Sequence, residues 1–169
     1  MTILAALLLA LAAPAPSPPD AVGLEPRPST WAPGLQQGQP ILRGASREDP
    51  GDRIIFLCND SHRLVAMIFM LSDDPQIVVS EGSGTGRWVI DGRFQAEVDA
   101  RPVMPMGSHI LSLAFVEPDL VRRLSAAGAA GYAWNHRSGT PFAGFQIDMA
   151  GAHDLLPAFA RGCNAELYR

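Results

Sequence analysis

Ser108 and His109 stand side by side in Met106-Gly107-Ser108-His109, and a hydroxyl next to an imidazole is the pairing on which nucleophilic acyl transfer is built. A hydrolase reading would draw on Asp148 as well. Sequence neighbours on a strand point to opposite faces, so the adjacency argues against direct contact, and no Gly-x-Ser-x-Gly elbow occurs. Met104, Met106 and His109 offer a second chemistry: two thioethers and an imidazole on one loop form a soft donor set for Cu(I) in an exported protein. The competing reading is an apolar loop that caps the core, a role methionine fills readily. His62, His136 and His153 complete the histidines, and none has the His-x-x-x-His or Glu-x-x-His spacing of a preformed metal site. No catalytic residue and no cofactor are assigned.

Composition removes further chemistries. Lysine is absent and every cation of the side chains is an arginine or a histidine, so a P-loop lysine, a Schiff-base lysine and a Ser-x-x-Lys nucleophile are all excluded. The Gly82 to Gly86 run lacks the Lys-Ser/Thr ending of a phosphate loop and reads as a hairpin turn. Asp73 and Asp74 precede Pro75 and read as solvated turn residues. Net charge is −4 and the arginines are scattered, so no basic stripe is available to a nucleic-acid backbone and no nucleic-acid partner is expected.

The chain opens on a short Leu/Ala run from Ile3 to Ala13, too short to span a bilayer, which needs about 20 apolar residues. It reads as a signal peptide over residues 1–15, cleaved after Ala12 or Ala15. A periplasmic or secreted bacterial protein with no membrane span in its mature form is the expectation. Export places Cys58 and Cys163, the two cysteines of the chain, in an oxidising compartment, where they are expected to join.

Residues 16–50 are rich in Pro, Gly, Gln and Ser with few large apolar side chains, and read as a largely disordered linker. Trp31 and the Ile41-Leu42 pair are its docking points. Residues 51–169 read as a single disulfide-linked domain. Arg53 to Asn59 and Arg63 to Leu71 are nearly continuous apolar runs, expected as a hairpin of strands covered on both faces. Strands are also expected at Gln76 to Ser80, Arg87 to Asp91, Arg93 to Asp99, His109 to Val116 and Phe142 to Met149, the last with Phe145, Ile147 and Met149 inward and Gln146 and Asp148 outward. Pro118 opens a helix that Gly128 closes, and Asp154 precedes a C-terminal helix with Leu156, Phe159, Ala160 and Cys163 on one face. The fold class is mainly β with an α+β character: an antiparallel sheet, sandwich or open barrel, with one or two packed helices.

Trp88, Tyr132 and Trp134 are candidates for a binding surface, with core or rim packing as the alternative. The stretch Arg53 to Cys163 resembles a group of small exported bacterial proteins, among them accessory proteins associated with type VI secretion. The pattern rests on an early Cys-bearing strand and a closing unit, Phe145-Gln146-Ile147-Asp148-Met149-Ala150-Gly151 followed by Leu155-Leu156-Pro157-Ala158-Phe159 and Cys163. The resemblance implies a non-enzymatic accessory or binding role, with Cys58 and Cys163 as its transferable residues. Three functions follow as expectations: a module that binds a protein or cell-envelope component; a small envelope hydrolase or copper handler; and an inhibitor that inserts a rigid loop, Met104 to Gly107, into an envelope enzyme.

Overall fold

A computed structural model describes residues 24–71, 86–95, 101–135 and 141–169. The signal-peptide segment, the Gln76 to Ser80 strand, the outer part of the Arg93 to Asp99 strand and His136 fall outside the described residues. In chain order the elements are β1 (Pro26–Arg27), β2 (Ser29–Gln36), β3 (Gln39–Ser46), β4 (Arg53–Cys58), β5 (Leu64–Leu71), β6 (Gly86–Ile90), β7 (Arg93–Phe94), β8 (Arg101–Met106), β9 (His109–Phe115), α1 (Pro118–Ala126), β10 (Ala129–Asn135), β11 (Pro141–Asp148), a 3-10 turn (Ala150–Ala152) and α2 (Leu155–Cys163). The strands form two sheets, β2-β3-β4-β5-β9-β8 and β1-β11-β10-β6-β7. All pairings are antiparallel except β1 with β11. This is the mainly β architecture with packed helices that the sequence leads one to expect.

The inner faces meet in one core. Leu42, Ile54, Phe56, Ala66, Ile68, Met70, Ile110 and Ala114 come from the larger sheet, and Trp88, Ile90, Ala130, Tyr132, Trp134, Phe145 and Ile147 from the smaller. A chain of rings crosses between them. Trp31 stacks on Phe56 at 6.1 Å, Phe56 on Trp88 at 6.5 Å, and Trp88 meets Tyr132 edge-on at 5.5 Å. Trp88, Tyr132 and Trp134 are therefore core residues, each at most 1% exposed. They line no binding surface, because β6 and β10 turn these alternate positions toward the opposite sheet.

The linker expected over residues 16–50 is corrected for its second half, where β1, β2 and β3 are ordinary members of the sheets. Residues 32–40 are exposed, so β2 needs little apolar content beyond Trp31 to hold its place at a sheet edge. Gln37 and Gly38 both take positive φ, 51° and 81°, the two-residue turn whose twist suits a hairpin. Both edge strands of the larger sheet carry proline, Pro33 in β2 and Pro102 and Pro105 in β8. The methionine segment is also corrected: Met104 to Met106 lie in β8, hydrogen-bonded to β9, and the turn itself is confined to Gly107 and Ser108.

The helices cap the core. Pro118 occupies the first turn of α1, which buries Leu120, Val121 and Leu124; α2 buries Leu156, Ala160 and Cys163. Cys163 is bonded to Cys58 at the end of β4, with the Cα atoms 5.5 Å apart, so the C-terminal helix is tied to the larger sheet. Tyr168 adds a second tie, accepting from Leu64 N and donating to Val116 O, both at 2.9 Å. Gln146, expected to face outward, is 1% exposed. The pairing of β1 alongside β11 covers it, and its amide accepts from Gly92 N and donates to Leu24 O.

Candidate interaction surface

Alternation along β3, β4, β5 and β9 sends every second side chain away from the core, and on these strands the outward positions are apolar as well. Cross-strand register arranges them in rows. One row is Ile41, Leu57, Val65 and Phe115; the next is Arg43, Ile55, Met67 and Leu113; a third is Ala45, Arg53, Phe69 and Leu111. Ile41, Ile55, Phe69 and Leu111 form a small cluster of their own, with Leu57 and Met67 packed against it. The helices contribute to the main core instead. Leu113 and Phe115 remain 39% and 49% exposed.

The expectation that β4 and β5 are covered on both faces holds at Ile55 and Phe69, each 6% exposed, and not along the rest of the outer face. Their second face is only partly closed, and between Leu57, Val65, Met67, Leu113 and Phe115 it opens into a groove of about 470 Å³. Asn59 stands at its end, its side-chain oxygen accepting from Ser61 N and Arg63 N to shape the β4–β5 turn. Apolar side chains left at a surface in a continuous group, not singly, are what marks a site of association.

Arginines stand on the same face, outside the residues that line the groove. Arg63 lies 4.6 Å over the Phe115 ring and pairs with Glu117. Arg53 lies 3.9 Å over the Phe69 ring; partial burial and then the like charge of Arg43 hold its guanidinium below the ordinary arginine range. Arg43 is exposed. Among the described residues, the charged strand side chains of these rows are Arg43 and Arg53, with no carboxylate beside them.

At the far end of the face His109 pairs across β5 and β8 with Leu71 and Met106. Ser108 Oγ lies 3.3 Å from His109 Nδ1, a contact that strand alternation argues against; Ser108 sits in the turn, where strand alternation does not apply. The opposite ring edge faces Gly51, where a Cβ would lie 1.9 Å from Nε2. Asp49 and Asp52 approach here, with one donor atom from each and from His109 mutually within 4.8 Å. Neither aspartate stands out in the sequence, where Asp-Pro-Gly-Asp carries only a turn signal.

Those carboxylates already have structural partners. Asp52 accepts from Arg27 at 2.6 Å and from Leu71 N at 2.8 Å, and Asp49 from Gly51 N at 3.0 Å. The Arg27 guanidinium supplies the positive charge that a bound cation would bring, so the group acts as a clasp joining β1, the β3–β4 connection and β5. Burial pushes the Asp52 carboxyl above its ordinary value, against the Leu71 hydrogen bond and the Arg27 charge, which lower it. Asp148 belongs to the other sheet, where its side chain accepts from Ala150 N. Met106 is 46% exposed, and Met104 takes the register position opposite Leu111. The structure therefore does not assemble Ser108, His109 and Asp148 into one site.

No protein-family model matches the chain, and no curated protein matches it. Among solved structures it is similar to invasion associated protein B from Bartonella henselae, at 13% sequence identity and a TM-score of 0.50, over 78% of this chain and 92% of that one. The likeness is one of fold.

Proposed function

We propose that this protein is an exported, non-enzymatic binding module that contacts a protein of the cell envelope through the outer face of its larger sheet. The observation that carries the reading is the apolar groove along β4, β5 and β9, with Leu113 and Phe115 exposed at its rim. Leaving such side chains in water forgoes about 25 cal/mol for every Å² that a partner would cover. The Cys58–Cys163 bridge supports an oxidising location, and no helix among the described residues is long and apolar enough to cross a membrane.

The test is affinity capture from the native host's envelope under oxidising conditions, run in parallel with wild type and Leu113→Asp. One stoichiometric protein retained by the wild type and lost with the variant is the expected result. Equal capture by both, or recovery of nothing, overturns the reading. Leu113 is exposed, so the variant is expected to fold.

A further inference from the structure

The outer face is apolar, yet it is not featureless. Arg43 is register-paired with Ile55 while Arg53 is paired with Ala45, which makes the two arginines diagonal neighbours on adjacent strands, about 7–8 Å apart at Cα. Arg63 stands over Phe115 at the corner, but it is matched by Glu117. Arg43 and Arg53 have no carboxylate partner among the described residues. The charge of Arg43 acts on Arg53 across this diagonal. The pair lies in a protein whose net charge is −4, on the face where Leu113 and Phe115 stay exposed.

That conjunction narrows the occupant. A second copy of this chain, stacked face to face, would press one positive patch against another. An anionic bilayer would have to attract a chain that is negative overall, with a few arginines against the rest of the surface. A protein surface carrying a few carboxylates among apolar side chains engages the face locally, without presenting an extended anionic plane to the rest of the chain: its apolar groups fill the groove and its carboxylates pair with the two arginines. Guanidinium groups suit that pairing, since their planar fork takes both carboxylate oxygens.

We infer that the outer face of the larger sheet recognises an acidic-apolar protein surface, whose carboxylates bind Arg43 and Arg53 while its aliphatic or aromatic side chains enter the groove between Val65, Met67, Leu113 and Phe115. The inference rests on the binding-module reading and adds the chemistry of the partner.

The experiment is photocrosslinking in the native host. A photoreactive amino acid replaces Leu113 in the full chain and, separately, Arg122, which is exposed on α1; the crosslinked segment is then mapped by mass spectrometry. The expected result is a protein crosslink from position 113 alone, on a segment that holds Asp or Glu next to apolar residues. The doubly substituted Arg43→Glu/Arg53→Glu chain should lower its yield by at least about tenfold, while Arg43→Lys/Arg53→Lys retains most of it. Arg43→Glu alone, at an exposed position, gives the same test should reversal at the half-buried Arg53 impair folding.

A position-113 crosslink that survives charge reversal, or that maps to a neutral or basic segment, overturns the inference and leaves the binding module standing. A crosslink to phospholipid, or to a second copy of this chain, overturns it in favour of those occupants. A partner captured from Arg122 alone moves the interface to the helices, and no crosslink from either position removes the binding-module reading as well.

Discussion

The indole of Trp31 lies flat over Gly44 on the neighbouring strand: a Cβ at position 44 would fall 2.4 Å from the ring. The two are register partners, and the same indole donates through Nε1 to Asp148 O at 2.8 Å in the opposite sheet. Trp31 thus holds the edge strand β2 to both layers of the sandwich. Gly44→Ala forces the ring out of this seat, and the expected cost is about 1–3 kcal/mol. Urea unfolding should show the midpoint falling with the slope unchanged; an unaltered midpoint would mean that the ring has somewhere else to go.

The Cys58–Cys163 bridge spans a sequence separation of 105. In the chain-entropy picture, closing a loop of that length stabilises the fold by about 4–5 kcal/mol. The Cys58→Ser/Cys163→Ser protein, and the wild type in dithiothreitol, should lose that amount to within a factor of about two. Equal stability of oxidised and reduced protein in denaturant titrations would remove the bridge from the account of stability.

Asp52 makes a pH prediction. Its carboxyl sits above the ordinary value of 3.8, chiefly because it is buried, so the folded protein holds that proton more tightly than the unfolded chain does. The term favours folding in full below 3.8 and is lost as pH rises through the raised value. Asp52→Asn has no such term. The stability of wild type relative to Asp52→Asn should therefore decline with rising pH across this window, and an increase would mean that Arg27 and the Leu71 hydrogen bond outweigh burial.

Ser112 is completely buried on the inner face of β9, and its hydroxyl has no hydrogen-bond partner among the described residues. A buried polar group in that state is a net cost. Ser112→Ala should raise stability by roughly 1 kcal/mol, read as a higher thermal midpoint. A loss of similar size would reveal a buried water bridging the hydroxyl.

The sequence carries β4, β5, β9 and β11 plainly, because their apolar runs and alternations are long and bounded by turns. Both helices are equally plain, from Pro118, Asp154 and the spacing of Leu156, Ala160 and Cys163. The single pair of cysteines leaves one possible bridge. β10 is hidden for a physical reason: Ala-Ala-Gly-Tyr-Ala-Trp-Asn has weak strand preference, and Gly131 is there because a Cβ would lie 1.8 Å from Phe145 O. β2 and β8 are hidden by prolines that an edge strand tolerates and an interior strand does not. The outer face is hidden because a doubly apolar strand looks the same whether its second face is closed by another layer or left open. Only the register that lines Arg43 up with Ile55, Met67 and Leu113 makes it a surface.

The prolines of β2 and β8 have one more effect. Pro33, Pro102 and Pro105 deprive both margins of the larger sheet of amide donors, so an incoming strand finds an incomplete ladder on either side and the sheet does not grow by recruiting its neighbours. A molecule with so much hydrocarbon on its flank would otherwise be prone to polymerise edge to edge. Association through the proposed outer-face contact would then be limited to side-chain packing and charge, without strand addition at either edge.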